Sequence, residues 1–421
     1  MTLEKRNWGM IFIILYVLTA GYLFLPQDIS LSPVPVPDDL FLGKKIAESL
    51  ASLAMILMGF GIILGASFRF LEPYFGGLDR MYRVHKIFGI ISIWLLIAHF
   101  ALIPEIGEDE GLGGPLGIIS LLGFTILILL TIVKKFPYHR WFPTHRFMGV
   151  FYIVGIAHTF VAGNMIIEGS AFSVLLRAIA FTAAAAYIYK ELIRERFVSP
   201  RQYQIAEINY LGSATELVLK SDKDKIKWQA GQFAFISLRD EAVSKEKHPF
   251  TISAGPDDDQ LRFTIKSLGD YTKSLSALSV GSDAVIDGPF GHFTPNVEAS
   301  PQVWVAGGVG VTPFLSAIRD KSAPNREVTF FYTVRDQSDA LFLDEIRAWA
   351  KESSNRSFHL ICSNQKERLS FDLIREQIKA PVPDIAYYLC GPTSLVSSIT
   401  KQAKAAGARK ANIHFEEFSI R

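Results

Sequence analysis

The chain has 421 residues, of which 49 % are hydrophobic, and its formal net charge of +2 is too small to indicate a nucleic-acid partner. Its two cysteines, Cys362 and Cys390, lie in no CxxC or CxxCH pattern, which argues against a disulfide framework, a cysteine zinc site and covalently attached c-type haem. The apolar residues are concentrated in residues 1–190, whereas residues 200–421 resemble ordinary globular sequence. This division predicts a membrane-embedded first half and two or three domains in all.

Six apolar segments of the first half are each long enough to cross a bilayer as a helix, which takes about 20 residues. They lie near residues 8–25, 46–68, 85–103, 116–133, 145–163 and 171–190. Lys and Arg residues precede the first segment and follow the second, fourth and sixth, while the other loops are acidic or neutral apart from Lys44 and Lys45. The positive-inside rule therefore predicts that both termini face the cytoplasm. A cleaved signal peptide is the alternative for the first segment, but no A-x-A site follows it.

Four of the nine histidines form two similarly spaced pairs, His85 with His99 in the third segment and His145 with His158 in the fifth. A single membrane histidine often only bonds a neighbouring helix, but spacings of 14 and 13 residues are close to four helical turns and place both members on one face. Because the two segments run in the same direction, each histidine of one faces its counterpart on the other. Facing imidazoles are suitable axial ligands for haem iron, so the pattern predicts two b-type haems. Zinc would require four close ligands, and a proton relay would require intervening carboxylates.

Other residues near these histidines allow two interpretations. Phe151 lies between His145 and His158 in sequence, where it is either a bridging aromatic between two haems or an ordinary packing residue. Four arginines flank these segments: Arg80, Arg83, Arg140 and Arg146. They either pair with haem propionates or only set the membrane topology. The topological role is the favoured interpretation for most of the four.

The hydrophobic pattern changes after residue 200. Over residues 201–298, short alternating runs such as "QFAFISLR" and "LRFTIKSL" are separated by turn residues, which predicts a small antiparallel barrel. From residue 302, strand-like runs such as "VWVAGG" and "EVTFFYTV" alternate with helix-like runs such as "LDEIRAWAKE", which predicts a doubly wound parallel sheet. The expected domains are therefore 1–198, 199–298 and 299–421.

The turn after the first strand of the last domain reads "AGGVGVTPFLSAI". Gly307, Gly308 and Gly310 allow the backbone to approach a phosphate, and Thr312 and Pro313 begin a helix whose free N–H groups favour a dinucleotide pyrophosphate. A plain tight turn is the alternative, but the strand–turn–helix context is the one that this motif requires. "CGPTSL" follows a later strand, again at a carboxyl edge where ligands bind.

Two segments of the predicted barrel suit a flavin. "HPFT", from His248 to Thr251, closes a strand and offers side-chain and backbone groups to a flavin ring. Gly269, Tyr271 and Thr272 lie at a helix start, which suits the flavin pyrophosphate. For both segments the alternative is a turn followed by a helix cap.

With these motifs in this order, the chain resembles the NADPH oxidase and ferric reductase superfamily, and it is most similar to the minimal prokaryotic NADPH oxidases. The resemblance implies a six-helix, ferric reductase-like transmembrane bundle, a β-barrel FAD domain and a doubly wound α/β NADP-binding domain of the ferredoxin reductase type. It implies an inner haem between His85 and His145 and an outer haem between His99 and His158. The cofactor residues that it implies are His248, Pro249, Phe250, Thr251, Gly269 and Thr272 for FAD, and Gly307, Gly308, Gly310, Thr312, Pro313, Gly391 and Pro392 for NADPH.

The resemblance also implies roles for single residues. Cys390 would lie near the nicotinamide, and Phe418, with Phe415 behind it, would supply the aromatic ring that commonly stacks on the flavin. Arg335, in "YTVRD", would read the 2′-phosphate of NADPH, with a plain surface arginine as the alternative. Where animal oxidases have a second outer histidine, this chain has Ile103, a departure that bears on oxygen specificity but not on electron transfer.

The expected activity is transmembrane electron transfer from cytoplasmic NADPH, or NADH, through FAD and two b-type haems to an external acceptor, with oxygen giving superoxide as the first choice. A ferric chelate and a membrane partner protein are the alternative acceptors. A haem-binding transport or sensor protein without catalysis is the alternative from another class. The resemblance further implies a multi-pass protein of the plasma membrane, with the FAD and NADPH domains in the cytoplasm and no obligatory regulatory subunit.

Overall fold

A computed structural model of the chain describes residues 7–25, 37–103, 111–132, 138–162, 166–194, 201–221, 225–297, 301–365 and 368–416. The chain forms two compact units, Met1–Ser199 and Pro200–Arg421. Helices make up the described part of the first unit, and the second contains two β-sheets.

The helices of the first unit match the apolar segments only in part. They are α1 (Trp8–Phe24), α2 (Asp38–Gly65), α3 (Glu72–Phe75), α4 (Leu78–Leu102), α5 (Gly113–Ile132), α6 (Tyr138–Arg146), α7 (Met148–Val161) and α8 (Ala171–Ile188). A π-helical turn, Tyr189–Ile193, continues α8. Among the described residues, α2, α4, α5 and α8 with its π turn are long and apolar enough to cross a membrane, and α1 is a shorter apolar helix.

The second predicted span begins earlier than expected. Helix α2 starts at Asp38 rather than near residue 46. Asp38 and Asp39 occupy its first turn, where carboxylates complement the positive end of the helix dipole, and Pro37 directly precedes them. The charge of these residues led the sequence analysis to place them in a loop, although at this position it stabilises the helix.

The fifth predicted span is divided into α6 and α7, which are separated by Phe147. Pro143 lies inside α6, where it has no N–H to donate to the helix. The N–H of Phe147 then donates to the carbonyl of Thr144, three residues back, at 3.1 Å. The prediction of one continuous fifth helix is therefore wrong, and His145 and His158 lie on different helices.

The second unit begins with a six-stranded antiparallel sheet. Its strands are β1 (Arg201–Leu211), β2 (Ala214–Lys220), β3 (Phe233–Arg239), β4 (His248–Thr251), β5 (Leu261–Lys266) and β6 (Asp283–Phe290). Their order is β4-β3-β6-β1-β2-β5, and a single bridge from Ile252, just after β4, to Phe263 in β5 brings the two edge strands together. Fully buried side chains such as Leu217 and Ile236 fill the inside of this curved sheet. A short helix, α9 (Asp270–Ser274), follows β5.

The rest of the second unit alternates strands and helices around a parallel sheet. The elements are β7 (Gln302–Gly307), α10 (Thr312–Arg319), β8 (Val328–Val334), α11 (Leu343–Lys351), β9 (Arg356–Cys362), α12 (Phe371–Gln377), β10 (Ala386–Cys390), α13 (Thr393–Ala405) and β11 (Ile413–Glu416). The strand order is β11-β10-β7-β8-β9, so the order reverses between β7 and β10. Ligands of such sheets bind at the carboxyl ends of the strands beside this switch point.

Both faces of the parallel sheet are buried. Trp304 and Phe330 belong to a core on one face, which includes side chains of α10 and α11. Val305 and Phe331, the next residues in each strand, belong to a core on the opposite face, which includes side chains of α12 and α13. The helices thus fix both strands and leave the strand ends available for a site.

Candidate functional site

Three of the four membrane histidines are held through Nδ1 by a backbone carbonyl of another helix. The pairs are His85 with Gly61 at 2.8 Å, His99 with Ala47 at 2.9 Å, and His158 with Gly113 at 2.8 Å. Because a carbonyl oxygen only accepts, Nδ1 of each ring carries a proton and donates it. Metal-ligating histidines typically hold their ring in this way, so these three imidazoles fit a role as axial ligands.

The fourth histidine, His145, lies beside His85. Their ring centroids are 5.9 Å apart with the planes at 76°, and the Trp141 ring lies 4.9 Å from that of His145. The Nδ1 atom of His145 is buried and has no hydrogen-bond partner among the described residues. A buried nitrogen of this kind fits a site that a bound group completes. The structure brings together the predicted inner pair, while the facing of His99 and His158 stays a prediction.

Small residues on α5 allow α7 to approach it closely. A Cβ atom at Gly117 would lie 2.9 Å from the His158 ring, and a Cβ atom at Gly123 would lie 2.2 Å from the Phe151 ring. Ser120, between these glycines, donates a hydrogen bond of 3.0 Å to the carbonyl of Phe151. Phe151 therefore packs on α5, and its role as a bridge between haems stays a prediction. Small residues spaced along one face of a membrane helix, here Gly117, Ser120 and Gly123, typically mark such a close helix contact in a sequence.

Two cationic side chains near the inner pair have partners of their own. Arg146 forms an ion pair with Glu191 in the π-helical turn. Lys190, in the same turn, donates to the carbonyl of Gly65, the last residue of α2. A Cβ atom at Gly65 would lie 3.3 Å from Nδ1 of His85, so Lys190 bonds the helix end that also contacts this histidine. From the sequence, Lys190 was only one of the positive charges that follow the sixth apolar segment, and this contact was not predicted.

In the second unit, the predicted flavin segment forms edge strand β4 and contacts the start of α9. The His248 ring stacks on the Tyr271 ring at 3.7 Å between centroids, and Nε2 of His248 lies 3.0 Å from a carboxylate oxygen of Glu246. Burial lowers the pKa of His248, and the neighbouring Glu246 opposes this shift. The hydroxyls of Thr251 and Tyr271 are both buried without a hydrogen-bond partner among the described residues. Two unsatisfied hydroxyls fit a polar ligand such as a flavin.

The second predicted flavin contact already has a structural role. The hydroxyl of Thr272 accepts hydrogen bonds from the N–H groups of Leu268 at 2.8 Å and Gly269 at 2.9 Å. These bonds cap the start of α9, which is the alternative that the sequence left open. Contact of Gly269 and Thr272 with an FAD phosphate stays a prediction.

The Thr251 hydroxyl gives a test of the flavin site. Replacing Thr251 by valine keeps its shape but removes a hydroxyl that lacks a partner until a ligand supplies one. FAD affinity should fall by about 1 kcal/mol, or about fivefold, while the flavin-free protein should unfold at a slightly higher temperature. FAD fluorescence titration and thermal unfolding measure the two effects.

Thr264→Val is the matched control for this substitution. The hydroxyl of Thr264 is buried and already lies 3.1 Å from that of Ser253. Its loss should lower thermal stability and leave FAD affinity unchanged. Equal FAD affinity in Thr251→Val and the parent chain would contradict the assignment of Thr251.

The glycine-rich turn and the "CGP" turn meet at the switch point between β7 and β10. A Cβ atom at Gly310 would lie 2.3 Å from the carbonyl oxygen of Cys390, and one at Gly307 would lie 2.7 Å from Cδ of Pro392. Gly308 has φ +55 and no atom within 4 Å of a built Cβ, so open space remains beside its backbone. This arrangement fits a bound phosphate next to the amino end of α10.

The first turn of α10 fits the predicted phosphate site. Thr312 is buried, and its hydroxyl donates to the carbonyl of Val309 at 3.1 Å. Pro313 occupies the first turn of the helix, where a missing N–H costs nothing. The predicted strand, turn and helix are therefore present, while contact of these residues with NADPH stays a prediction.

The remaining predicted residues lie at three places in the second unit. Cys390 is fully buried and paired in register with Glu416, and burial together with the Glu416 charge raises the pKa of its thiol. The thiol therefore stays protonated near neutral pH and is not a nucleophile. Arg335 directly follows β8 and is exposed at the carboxyl edge of the sheet. Phe415 lies in β11, whereas the predicted flavin-stacking residue Phe418 lies outside the described residues.

Three family models match successive parts of the chain. A ferric reductase-like transmembrane component matches residues 50–156, an FAD-binding domain matches residues 201–312, and an oxidoreductase NAD-binding domain matches residues 304–401. The chain combines a ferric reductase-like membrane domain with FAD-binding and NAD-binding domains. The predicted order of these three parts is thereby confirmed.

Several curated proteins are similar to parts of the chain. NADH-cytochrome b5 reductase 1 from Mortierella alpina is 25 % identical over 274 residues, which cover 60 % of this chain and 91 % of that protein. Flavohemoprotein B from Dictyostelium discoideum is 24 % identical over 188 residues, or 40 % of this chain and 44 % of that protein. The chain spans about half the length of most of the curated relatives that it matches.

One solved structure is similar to most of the chain. It is a flavohemoglobin from Malassezia yamatoensis with bound FAD and heme, with a TM-score of 0.51 and 18 % identity over 89 % of this chain and 96 % of that chain. At this identity the likeness concerns the fold alone.

Proposed function

We propose that this chain is a membrane flavocytochrome that transfers electrons from cytoplasmic NAD(P)H, through FAD and two b-type haems, to an acceptor on the other side of the plasma membrane. The observation that carries the proposal is the set of imidazoles, on His85, His99 and His158, that a backbone carbonyl of another helix holds through Nδ1, the arrangement typical of metal-ligating histidines. The FAD-binding and NAD-binding domains in the same chain supply the rest of the route. A haem-binding transport protein would have no use for them.

The residues of the second unit bind and orient NAD(P)H and FAD. The amino end of α10 offers N–H groups to the dinucleotide phosphates, and the contact of Gly310 with Cys390 sets the shape of the nicotinamide site. The Thr251 hydroxyl is available to the flavin ring, and the protonated Cys390 thiol adds no negative charge to the nicotinamide site. When bound, FAD accepts an electron pair as hydride, and haem iron carries single electrons.

The residues of the first unit hold the haem ligands. Helix α2 fixes the rings of His85 and His99 through the Gly61 and Ala47 carbonyls, and α5 fixes His158 through Gly113. A fixed ring orientation and a hydrogen-bonded Nδ1 would make each imidazole a better ligand for haem iron. With histidine as both ligands, the haems would supply electron transfer rather than binding of the acceptor to iron.

Oxygen is the first choice of acceptor, and a ferric chelate is the second. Ile103, the residue after α4, donates its N–H to the carbonyl of His99 and presents an apolar side chain where animal oxidases have a histidine. The chain therefore lacks part of the pattern that is linked to oxygen reduction at the outer haem, which keeps the ferric chelate as the second candidate. A membrane partner protein is the remaining alternative.

Reduction of cytochrome c by purified protein and NADPH, with and without superoxide dismutase, separates these acceptors. Oxygen as acceptor predicts reduction that superoxide dismutase suppresses, whereas a ferric reductase predicts dismutase-insensitive reduction and fast turnover of a ferric chelate. The partner hypothesis predicts a negligible rate with either acceptor. A reduced-minus-oxidised spectrum without a b-type haem signal would contradict the whole scheme.

Arg335 tests the choice between NADPH and NADH. Its exposed position after β8 suits a contact with the 2′-phosphate, which only NADPH carries. Replacing Arg335 by alanine should raise KM for NADPH about tenfold and leave KM for NADH unchanged, because one charge-assisted hydrogen bond is lost.

Arg347→Ala is the control for the loss of an exposed arginine from the same unit. Arg347 is an exposed residue of α11. This substitution should change neither KM. Equal KM values for NADPH in Arg335→Ala and the parent chain would show that Arg335 is only a surface residue.

A further inference from the structure

A largely buried arginine at the end of α10, Arg319, joins four segments of the second unit. The Arg319 guanidinium donates to both carboxylate oxygens of Glu345 in α11, at 2.7 and 2.8 Å. Its third nitrogen donates to the carbonyl of Ser253, just beyond β4, at 2.8 Å, and lies 3.6 Å from Glu216 in β2. The ring of Phe342 lies 4.9 Å from the guanidinium carbon. The Arg319 side chain is only 13 % exposed, so these contacts hold it in one position.

The same helix contacts the barrel at two further points. The buried hydroxyl of Ser316 donates to the carbonyl of Ala254 at 2.6 Å. A Cβ atom at Gly255 would lie 2.4 Å from the carbonyl oxygen of Arg319, so glycine is needed for this approach. The three barrel residues 253–255 therefore dock on one side of α10.

These contacts connect the two predicted cofactor segments over a very short path. Helix α10 has eight residues, with the phosphate turn at its amino end and Arg319 at its carboxyl end. On the barrel side, Ser253 is two residues beyond Thr251, whose hydroxyl is the predicted flavin contact. A helix of this length is rigid, so a displacement of one cofactor segment moves the other.

We infer that Arg319 is a positioning residue for hydride transfer, because it locks the helix that carries the dinucleotide site to the segment that follows the flavin strand. The inference rests on the proposed transfer from NAD(P)H to FAD and adds the residue that sets the distance between the two sites. Glu345 orients the guanidinium through the paired contact, and the Ser253 carbonyl receives its remaining donor. Displacements of about 1 Å between reacting groups lower rates by about 100-fold. Even a slight loosening of the Arg319 contacts is therefore expected to slow hydride transfer.

Anaerobic stopped-flow reduction of the flavin by NADPH, in the full chain purified in detergent, tests this role. Arg319→Gln should lower the limiting rate constant by about 10- to 100-fold, with little change in the apparent Kd for NADPH or in the FAD content. Arg319→Lys should restore part of the rate, since it keeps the charge but not the paired contact. Glu345→Gln, which keeps the bond to Ser253, should give an intermediate rate.

Arg326→Gln is the matched control. Arg326 is another buried arginine of this unit, and it donates to the carbonyls of Pro295 and Asn296 near the amino end of β8, opposite the cofactor edge. Its loss removes comparable contacts but should leave the limiting rate unchanged.

Two outcomes overturn the inference: a limiting rate in Arg319→Gln equal to that of the parent, or an equal fall in Arg326→Gln. If Arg319→Gln does not retain FAD, a parental limiting rate in both Arg319→Lys and Glu345→Gln overturns it instead. Failure of the parent chain to reduce its flavin with either NADPH or NADH would contradict the proposed function itself.

Discussion

Replacing His85 by leucine is expected to remove the inner of the two proposed b-type haems and to reduce acceptor turnover by more than about 100-fold, since even loss of a ligand's hydrogen-bond partner costs about 10- to 100-fold. His85 is held at 2.8 Å by the Gly61 carbonyl and faces His145, so leucine removes both the ligand and its anchor. Flavin reduction by NADPH should persist, because the FAD-binding and NAD-binding domains lie in the second unit. Haem content, flavin reduction and acceptor turnover are measured on the same preparation.

Ser92→Ala is the control for this variant. Ser92 lies on the same helix as His85, is fully buried and donates to the carbonyl of Ala54 in α2 at 3.3 Å. Its loss weakens the same helix pair without removing a ligand, so both haems should remain. A His85→Leu protein with full haem content and parental turnover would rule out His85 as a ligand.

Replacing Gly310 by alanine is expected to lower flavin reduction by NADPH by about 100-fold, because the two turns of the nucleotide site would separate by about 1 Å. The added Cβ atom would lie 2.3 Å from the carbonyl oxygen of Cys390, and backbone atoms on both sides leave no flexible group that can move aside. FAD content should be unaffected, since this contact lies between β7 and β10 of the parallel sheet. Stopped-flow reduction and flavin absorbance measure the two quantities.

Gly407→Ala controls for the general cost of losing a glycine in the same domain. Gly407 has φ +96 and no atom within 4 Å of a built Cβ, so alanine introduces backbone strain but no overlap. It should lower stability and leave the rate of flavin reduction unchanged. A parental rate in Gly310→Ala would show that the two turns do not shape the nucleotide site.

The parts of the fold that depend on local pattern could be predicted from the sequence. The "AGGVGVTP" turn forms the expected connection between β7 and α10, and "HPFT" forms β4. The ends of the second span and the break in the fifth were missed for local reasons. Asp38 and Asp39 looked like loop residues, and the apolar run after Phe147 hid the break at that residue. Both features are visible in the sequence, but the predicted ends of the two spans followed the hydropathy of each segment instead.

The contacts that hold the site could not be predicted in this way. Every residue has a backbone carbonyl, so no residue type marks Gly61 or Ala47 as the partner of a histidine. The Arg319 contacts join Ser253, Glu216 and Glu345, which are distant in sequence, and only the folded unit brings them together. The missing partner of the Thr251 hydroxyl is likewise a property of its surroundings rather than of its residue type.

The carbonyls of α2, a helix that carries none of the proposed haem ligands, would set the distance between the two proposed haems. Gly61 and Ala47 are 14 positions apart, as are His85 and His99, and the two helices pair each carbonyl with one imidazole. One extra residue between Ala47 and Gly61 would rotate one carbonyl by about 100° and shift it by about 1.5 Å, so only one imidazole would keep its partner. The length of α2 between these carbonyls is therefore constrained as tightly as the identity of the histidines, although almost any apolar residue satisfies it.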